Sequence, residues 1–181
     1  MLFRSALKAT TEAIVVGDPL DEKTQMGPLV SQGQRERVES YIGIGQNEGA
    51  KLVCGGKRPE GEGYFLRPAA FAETHPRMRI VDEEIFGPVV VVLTFDTEDE
   101  AVALANDTIY GLSGSLWTND LKRGLRVARA VKTGNMSVNS SSSVHLQAPF
   151  GGYKQSGLGR ELGMYAMEHY TEVKNIYFET R

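Results

Sequence analysis

Three consecutive acids, Asp82, Glu83 and Glu84, stand directly before the most apolar run of the chain, in the stretch VDEEIFGPVVVVLTF. Val89 to Leu93 shows no polar alternation, and a Val-rich run bounded by Gly-Pro reads as a strand covered on both faces. Carboxylates at the mouth of such a strand are either solvated caps on a loop or acceptors for a polar ligand that docks there. The pattern by itself leaves both open, with the solvated cap preferred for Glu83. Other candidates for chemistry are incomplete. Cys54 lies in a short strand followed by Gly-Gly, with no adjacent base or cation to favour its thiolate, and reads as an inert, half-buried thiol. His75, His145 and His169 are far apart and have no cysteine companions, so no zinc site is expected. Ser140 to Ser143 lack the setting of a nucleophile elbow and read as a polar loop. In GLGREL the third glycine falls one place late for a dinucleotide fingerprint, and the lysine of GGYKQSG lacks the neighbours a P-loop requires.

The elements that would carry these residues follow from periodicity. Phe3, Leu7, Thr10 and Ile14 share one face of an N-terminal helix. Ser31 is placed to cap a second helix that stops at Gly49. AKLVCGG and YFLRPAAF read as strands separated by the turn KRPEGEG. From Pro88 on the pattern is regular. VVVVLTF is a strand; Thr97 and Glu100 form a capping box for the helix EDEAVALAND; SGSLWT is the next strand. NDLKRGLRVARAVKTG is an amphipathic helix with Leu121, Leu125, Ala128 and Val131 inward, and NMSVN is a strand. This β-α-β-α-β alternation predicts parallel strands with right-handed crossovers. The following twenty or so residues, SSSSVHLQAPFGGYKQSGLG, have no periodicity, and loops of that length are usually functional or disordered. They follow the C-terminal end of a parallel strand, where α/β folds place their ligands. RELGMYAMEHY reads as helical and TEVKNIYFET as extended.

Composition bounds the function classes. The chain has 181 residues, a net charge of −3 and a single cysteine. One domain of ordinary size with a real core is expected. The weak acidic balance and the lack of a Lys/Arg block argue against a nucleic-acid partner. No apolar run is long enough to span a membrane. One cysteine permits no internal disulfide and fits a reducing, cytoplasmic compartment.

Taken in order, GDPLDEKTQMGPLVS, DEEIFGPVV, YGLSGSLWT, GNMSVN and PFGGYKQSGLGRELG resemble the NAD(P)-dependent aldehyde dehydrogenase superfamily over essentially the whole chain. EEIFGP and PFGGxKxSGxGRE together are the specific signals. The resemblance implies an α/β fold: a parallel-sheet, three-layer catalytic domain over residues 1–170 and a C-terminal oligomerisation arm over 171–181. It implies that Glu84 accepts hydrogen bonds from the nicotinamide ribose hydroxyls, that Phe86 packs near the nicotinamide ring, and that Leu112 belongs to the shell around it. Asn139 and Phe150 correspond to positions lining the aldehyde tunnel. The cofactor implied is NAD or NADP and the substrate a small-molecule aldehyde, oxidised to a carboxylate by thiol addition, hydride transfer and thioester hydrolysis. The family's Rossmann-type domain, general-base glutamate and nucleophilic cysteine precede the matched region, and Cys54 is not at the nucleophile's position. The expectation is therefore a C-terminal portion without catalytic residues of its own, inactive alone and forming a homo-oligomer through its last strand. The alternative is a non-catalytic interaction subunit that pairs with itself or with a separate N-terminal half.

Overall fold

A computed structural model describes residues 2–142 and 144–180. Met1, Ser143 and Arg181, from the expected first helix, serine run and arm, lie outside the described residues. The chain forms two compact units, one ending at Thr94 and one beginning at Phe95.

In the first unit, α1 (Leu2–Glu12) turns Leu7 and Thr11 inward and leaves Phe3 exposed. α2 (Gln32–Asn47) begins where Ser31 Oγ accepts from the Gln34 amide at 3.2 Å, an N-cap that satisfies one orphan donor. It buries Val38, Tyr41, Ile42 and Gly45, the i, i+3, i+4, i+7 face of a helix lying on a sheet. That sheet has the order β1 (Lys51–Cys54), β2 (Ala69–Ala72), β3 (Val89–Val91), with β1–β2 antiparallel and β2–β3 parallel. β2 is central and wholly buried; Phe71 and Val38 are the largest fully buried side chains. It begins only after Pro68, which has no N–H to give a ladder, so the expected strand across YFLRPAAF is cut to its second half. β3 is likewise shorter than the expected run to Leu93. As an outer strand it packs Val89 and Val91 on the core and leaves Val90 43% exposed, so it is covered on one face and not on both. The one-turn helix α3 (Arg79–Asp82) adds Ile80 to this core.

In the second unit, α4 (Glu98–Asn106) is capped by Thr97 Oγ1 on the Glu100 amide, while the Glu100 carboxylate returns to the Asp96 amide at 2.8 Å. β4 (Ser113–Leu116) and β5 (Asn135–Val138) are parallel, in register from Ser113↔Asn135 to Leu116↔Val138, and α5 (Leu121–Ala130) connects them. α5 does not lie as its apolar stripe suggests. Leu121 and Leu125 are 75% and 51% exposed, and the side turned inward is Gly124, Val127, Ala128 and Val131. Gly124 is the buried residue of that side, and a Cβ there would meet Thr118 and Val138 at ordinary contact distances. The expected helix over RELGMYAMEHY contracts to one turn, α6 (Ala166–His169), and residues 171–180 are exposed and outside any helix or strand. The fold is α/β with parallel strand pairing, although the pairs β2–β3 and β4–β5 stand in separate sheets.

Candidate functional site

The acidic mouth of β3 is held from beneath by one face of α2. Gln34 Nε2 donates to the carbonyls of Ile85 at 3.1 Å and Phe86 at 2.8 Å, and Arg37 Nη2 donates to the Glu84 carbonyl at 2.9 Å. One helical turn further on, Tyr41 Oη donates to Glu83 Oε2 at 2.5 Å. From α3, Arg79 closes on the same carboxylate through Nε at 2.6 Å and Nη2 at 3.0 Å. The guanidinium carbons of Arg37 and Arg79 lie 5.0 and 5.5 Å from the Tyr41 ring centroid, within cation–π range. Glu83 is therefore no solvated cap: the donors of Arg79 first, and then of Tyr41, pull its carboxyl down to about 2 from its ordinary 4.5. The same bond pushes the Tyr41 hydroxyl up.

Glu84 and Phe86 behave differently from their gripped neighbours. Both side chains are exposed, and the Glu84 carboxylate takes no hydrogen bond from the described residues. Ile85 between them is buried in the core. Phe86 has φ +54°, a left-handed conformation that costs a bulky residue roughly 1–3 kcal/mol and persists only where the surroundings over-determine it. Gln34, Arg37, buried Ile85 and the close fit of Gly87 on Val38 supply that determination. The two oxygens of the Glu84 carboxylate are thus free to accept from outside the described residues, and the Phe86 ring is 75% exposed.

The second unit brings Leu112 and Phe150 together around a cavity of about 300 Å³ shared with Ser156, Arg160 and His169. The residue that joins their loops is Asn135, which is buried. Its Nδ2 donates to the carbonyls of Leu112 at 3.0 Å and Gly151 at 2.9 Å. Gly134 lets the loops meet, because a Cβ there would fall 1.8 Å from the Gly151 carbonyl oxygen. Phe150 is fixed by a reciprocal pair of 2.7 Å backbone bonds with Glu161, and Arg160 Nη1 ties the Gly152 and Gly159 carbonyls together. The stretch from Phe150 to Glu161 is thus held through its backbone groups, in part by the side chains of Asn135 and Arg160. Asn139 stands beyond the other end of β5. It too has a left-handed backbone, with φ +56°, and its amide is paired at both ends with the backbone of Thr118, at 2.9 and 3.0 Å.

Sequence reasoning missed Gln34, Arg37, Tyr41, Arg79 and Asn135. The first three share an i, i+3, i+7 spacing that marks one helix face, a signal visible in QRERVESY once the helix is drawn. Arg79 stands four residues before Glu83, the spacing of a helical ion pair, whereas Asn135 offered no comparable sign. Cys54 is free and 7% exposed at the end of β1. Among the described residues no group of His, Cys, Asp or Glu is arranged to hold a metal ion, and no helix is long and apolar enough to cross a membrane.

The model of the aldehyde dehydrogenase family matches residues 2–176. The chain belongs to the aldehyde dehydrogenase family. Among curated proteins, this aldehyde dehydrogenase chain is 51% identical over 178 residues to a betaine aldehyde dehydrogenase of Rhizobium leguminosarum bv. trifolii, covering 97% of the chain and 37% of the relative. It is 46% identical over 183 residues to the betaine aldehyde dehydrogenase of Bacillus subtilis, again over 37% of that protein. Among solved structures it superposes on the NAD+ complex of an aldehyde dehydrogenase from Bacillus cereus with a TM-score of 0.94 at 46% identity, covering 98% of this chain and 36% of that one. The betaine aldehyde dehydrogenase of Staphylococcus aureus in complex with NAD+ gives 0.90 at 44% identity, over 93% and 34%. The chain thus spans a little over a third of the length of the aldehyde dehydrogenases it matches.

Proposed function

We propose that this chain supplies the nicotinamide-ribose end of the NAD(P) site and part of the aldehyde tunnel of an aldehyde dehydrogenase. Glu84, Phe86 and Leu112 face the cofactor, and Asn139 and Phe150 face the aldehyde. The observation that carries the reading is the pairing of an unpartnered carboxylate, Glu84, with the exposed ring of Phe86 on a strained, clamped backbone. The similarity to the Bacillus cereus protein solved with NAD+ supports it. The bound nicotinamide supplies the hydride acceptor. Glu84 accepts from the two ribose hydroxyls, and Phe86 keeps water from one side of the ring's surroundings. Phe150, held against Glu161, shapes an apolar wall for the aldehyde, and Leu112, held through Asn135, belongs to the shell around the nicotinamide.

The reaction also needs a thiolate. Cys54 is the single cysteine of the chain and is buried at the end of β1. On this reading the nucleophile and general base lie outside these residues, and the chain alone does not oxidise aldehydes. NAD+ and NADP+ are both to be tried, with betaine aldehyde, the substrate in the names of the curated relatives, as the first aldehyde. The test measures aldehyde-dependent NAD(P)H formation by the chain alone and mixed with the N-terminal portion of the Bacillus cereus relative. No turnover is expected alone, and turnover is expected from the mixture. Glu84→Gln should weaken cofactor binding in the mixture by roughly 1.5–3 kcal/mol, the scale of a hydrogen bond to a charged group. Robust turnover by the isolated chain that Cys54→Ser abolishes would falsify the assignment of the nucleophile elsewhere. Unchanged cofactor affinity in Glu84→Gln would return Glu84 to a solvated cap.

The reading extends to a homo-oligomer in the cytoplasm, formed through residues 171–180. Val173, Tyr177 and Phe178 are exposed there without a partner element, and an apolar extended segment seeks a sheet edge. Sedimentation should show a dimer or larger species that becomes monomeric when the residues after Tyr170 are deleted; a monodisperse monomer of the intact chain removes the arm from the assembly.

A further inference from the structure

We propose that Tyr41 and Arg79 are positioning residues for the cofactor-facing segment: by gripping the Glu83 carboxylate from two helices they set the direction in which Glu84 and Phe86 are presented. The inference rests on the reading of Glu84 and Phe86 as cofactor-facing.

The lever is the geometry of an extended chain. Glu83 has φ −96° and ψ 145°, and in an extended backbone adjacent side chains point to opposite sides. Whatever fixes the side chain of Glu83 on the side of Tyr41 and Arg79 therefore turns that of Glu84 to the other side. Three donors do this: Tyr41 Oη at 2.5 Å and Arg79 Nε and Nη2 at 2.6 and 3.0 Å. Both partners are themselves anchored. Tyr41 is a buried member of the core on α2, and the Arg79 amide donates to Glu48 Oε2 at 2.9 Å, joining the start of α3 to the end of α2. The segment has a use for such an anchor. Residues 84–86 have no ladder or helix bonds to hold them, yet Phe86 sits in a strained conformation with its ring exposed. A second grip comes from Gln34 and Arg37, which hold carbonyls. Backbone carbonyl bonds restrain the path of the chain, whereas the Glu83 carboxylate restrains its rotation. Neither Tyr41 nor Arg79 has a hydrogen bond to the side chain of Glu84 or Phe86 among the described residues, so any effect they exert on a ligand there passes through Glu83.

The test is ¹⁵N relaxation of the intact 181-residue chain, with nicotinamide mononucleotide as the ligand probe. Tyr41→Phe keeps the buried ring and removes the hydroxyl alone. Glu83→Gln keeps the shape of the carboxylate and removes its charge. In the unsubstituted chain the amides of residues 84–86 should show rigid order parameters of about 0.85; in both variants they should fall toward 0.6 or below. The β2 amides, in the same core, should stay rigid in all three proteins. Nicotinamide mononucleotide should shift the residue 84–86 amides of the unsubstituted chain, and the variants should need roughly tenfold more of it for the same shift, the scale of one lost bond to a charged group. Order parameters at 84–86 that are unchanged in both variants overturn the proposal. A loss of order at β2 as well as at 84–86 also overturns it, since the network is then only structural. If residues 84–86 loosen but the probe shifts nothing in the unsubstituted chain, the positioning role stands and the cofactor reading of Glu84 fails.

Discussion

Replacing Gly87 by alanine places a methyl group 2.4 Å from Val38 Cγ2 and 3.0 Å from its Cγ1. The backbone of Gly87 lies outside the left-handed region, so the added Cβ meets no torsional objection and the whole cost is steric. Val38 is fully buried, and as a β-branched residue on a helix it has one strongly preferred rotamer, so it cannot swing aside. Overpacking of this kind costs about 1–3 kcal/mol. The strain falls immediately after Phe86, where the backbone already sits at φ +54°. Val38→Ala alone removes two methyl groups at about 0.8 kcal/mol each, and the residual cavity brings the loss to about 2 kcal/mol. The two changes should not add. The alanine at 38 vacates the space that the alanine at 87 fills, so the double variant should be more stable than the sum of the single losses by about 1 kcal/mol or more, within the coupling range of residues in contact. Urea denaturation followed by far-ultraviolet circular dichroism on the four proteins gives the cycle. Additive losses, or a Gly87→Ala variant as stable as the parent, would refute the claim that Gly87 is required by its approach to Val38.

Asn135→Ala leaves the Leu112 carbonyl with its bond from the Asn135 amide but strips the Gly151 carbonyl of its side-chain donor, and should cost roughly 1–3 kcal/mol in thermal or urea unfolding; an unchanged midpoint would show that the loop of Phe150 is held by Gly134 and Arg160 alone. Acid stability should report Glu83: its folded-state value is depressed, so its contribution is complete above its ordinary 4.5 and disappears as the pH falls toward about 2. Glu39, drawn down chiefly by its bond from Arg58, and Glu98, drawn down chiefly by Arg126, act with the same sign. Glu83→Gln should flatten part of that acid limb, measured as urea midpoints across the interval, and an identical pH profile for variant and parent would contradict the network.

What the sequence determined by itself was local or written in fixed motifs. Ser31 and Thr97 mark helix starts because a short polar side chain at that position can accept from an amide that the first turn leaves unpaired, and both cap as drawn. The family was legible from DEEIFGP and PFGGYKQSGLGRE, and the parallel β4–α5–β5 unit from the change of period between them. Tertiary structure decided what depends on neighbours distant in sequence. A Val-rich run does not say whether its second face is covered, and Val90 shows that here it is not. An apolar stripe of Leu121 and Leu125 does not say which side of a helix meets the sheet, and here the buried position is Gly124 while both leucines are exposed. Three adjacent acids look alike in one dimension, but Glu83 and Glu84 were separated by the partners that α2 and α3 bring to one side of an extended backbone. Glu83 meets Arg79, four residues back, and Tyr41, forty-two residues away, while the Glu84 carboxylate meets no donor among the described residues.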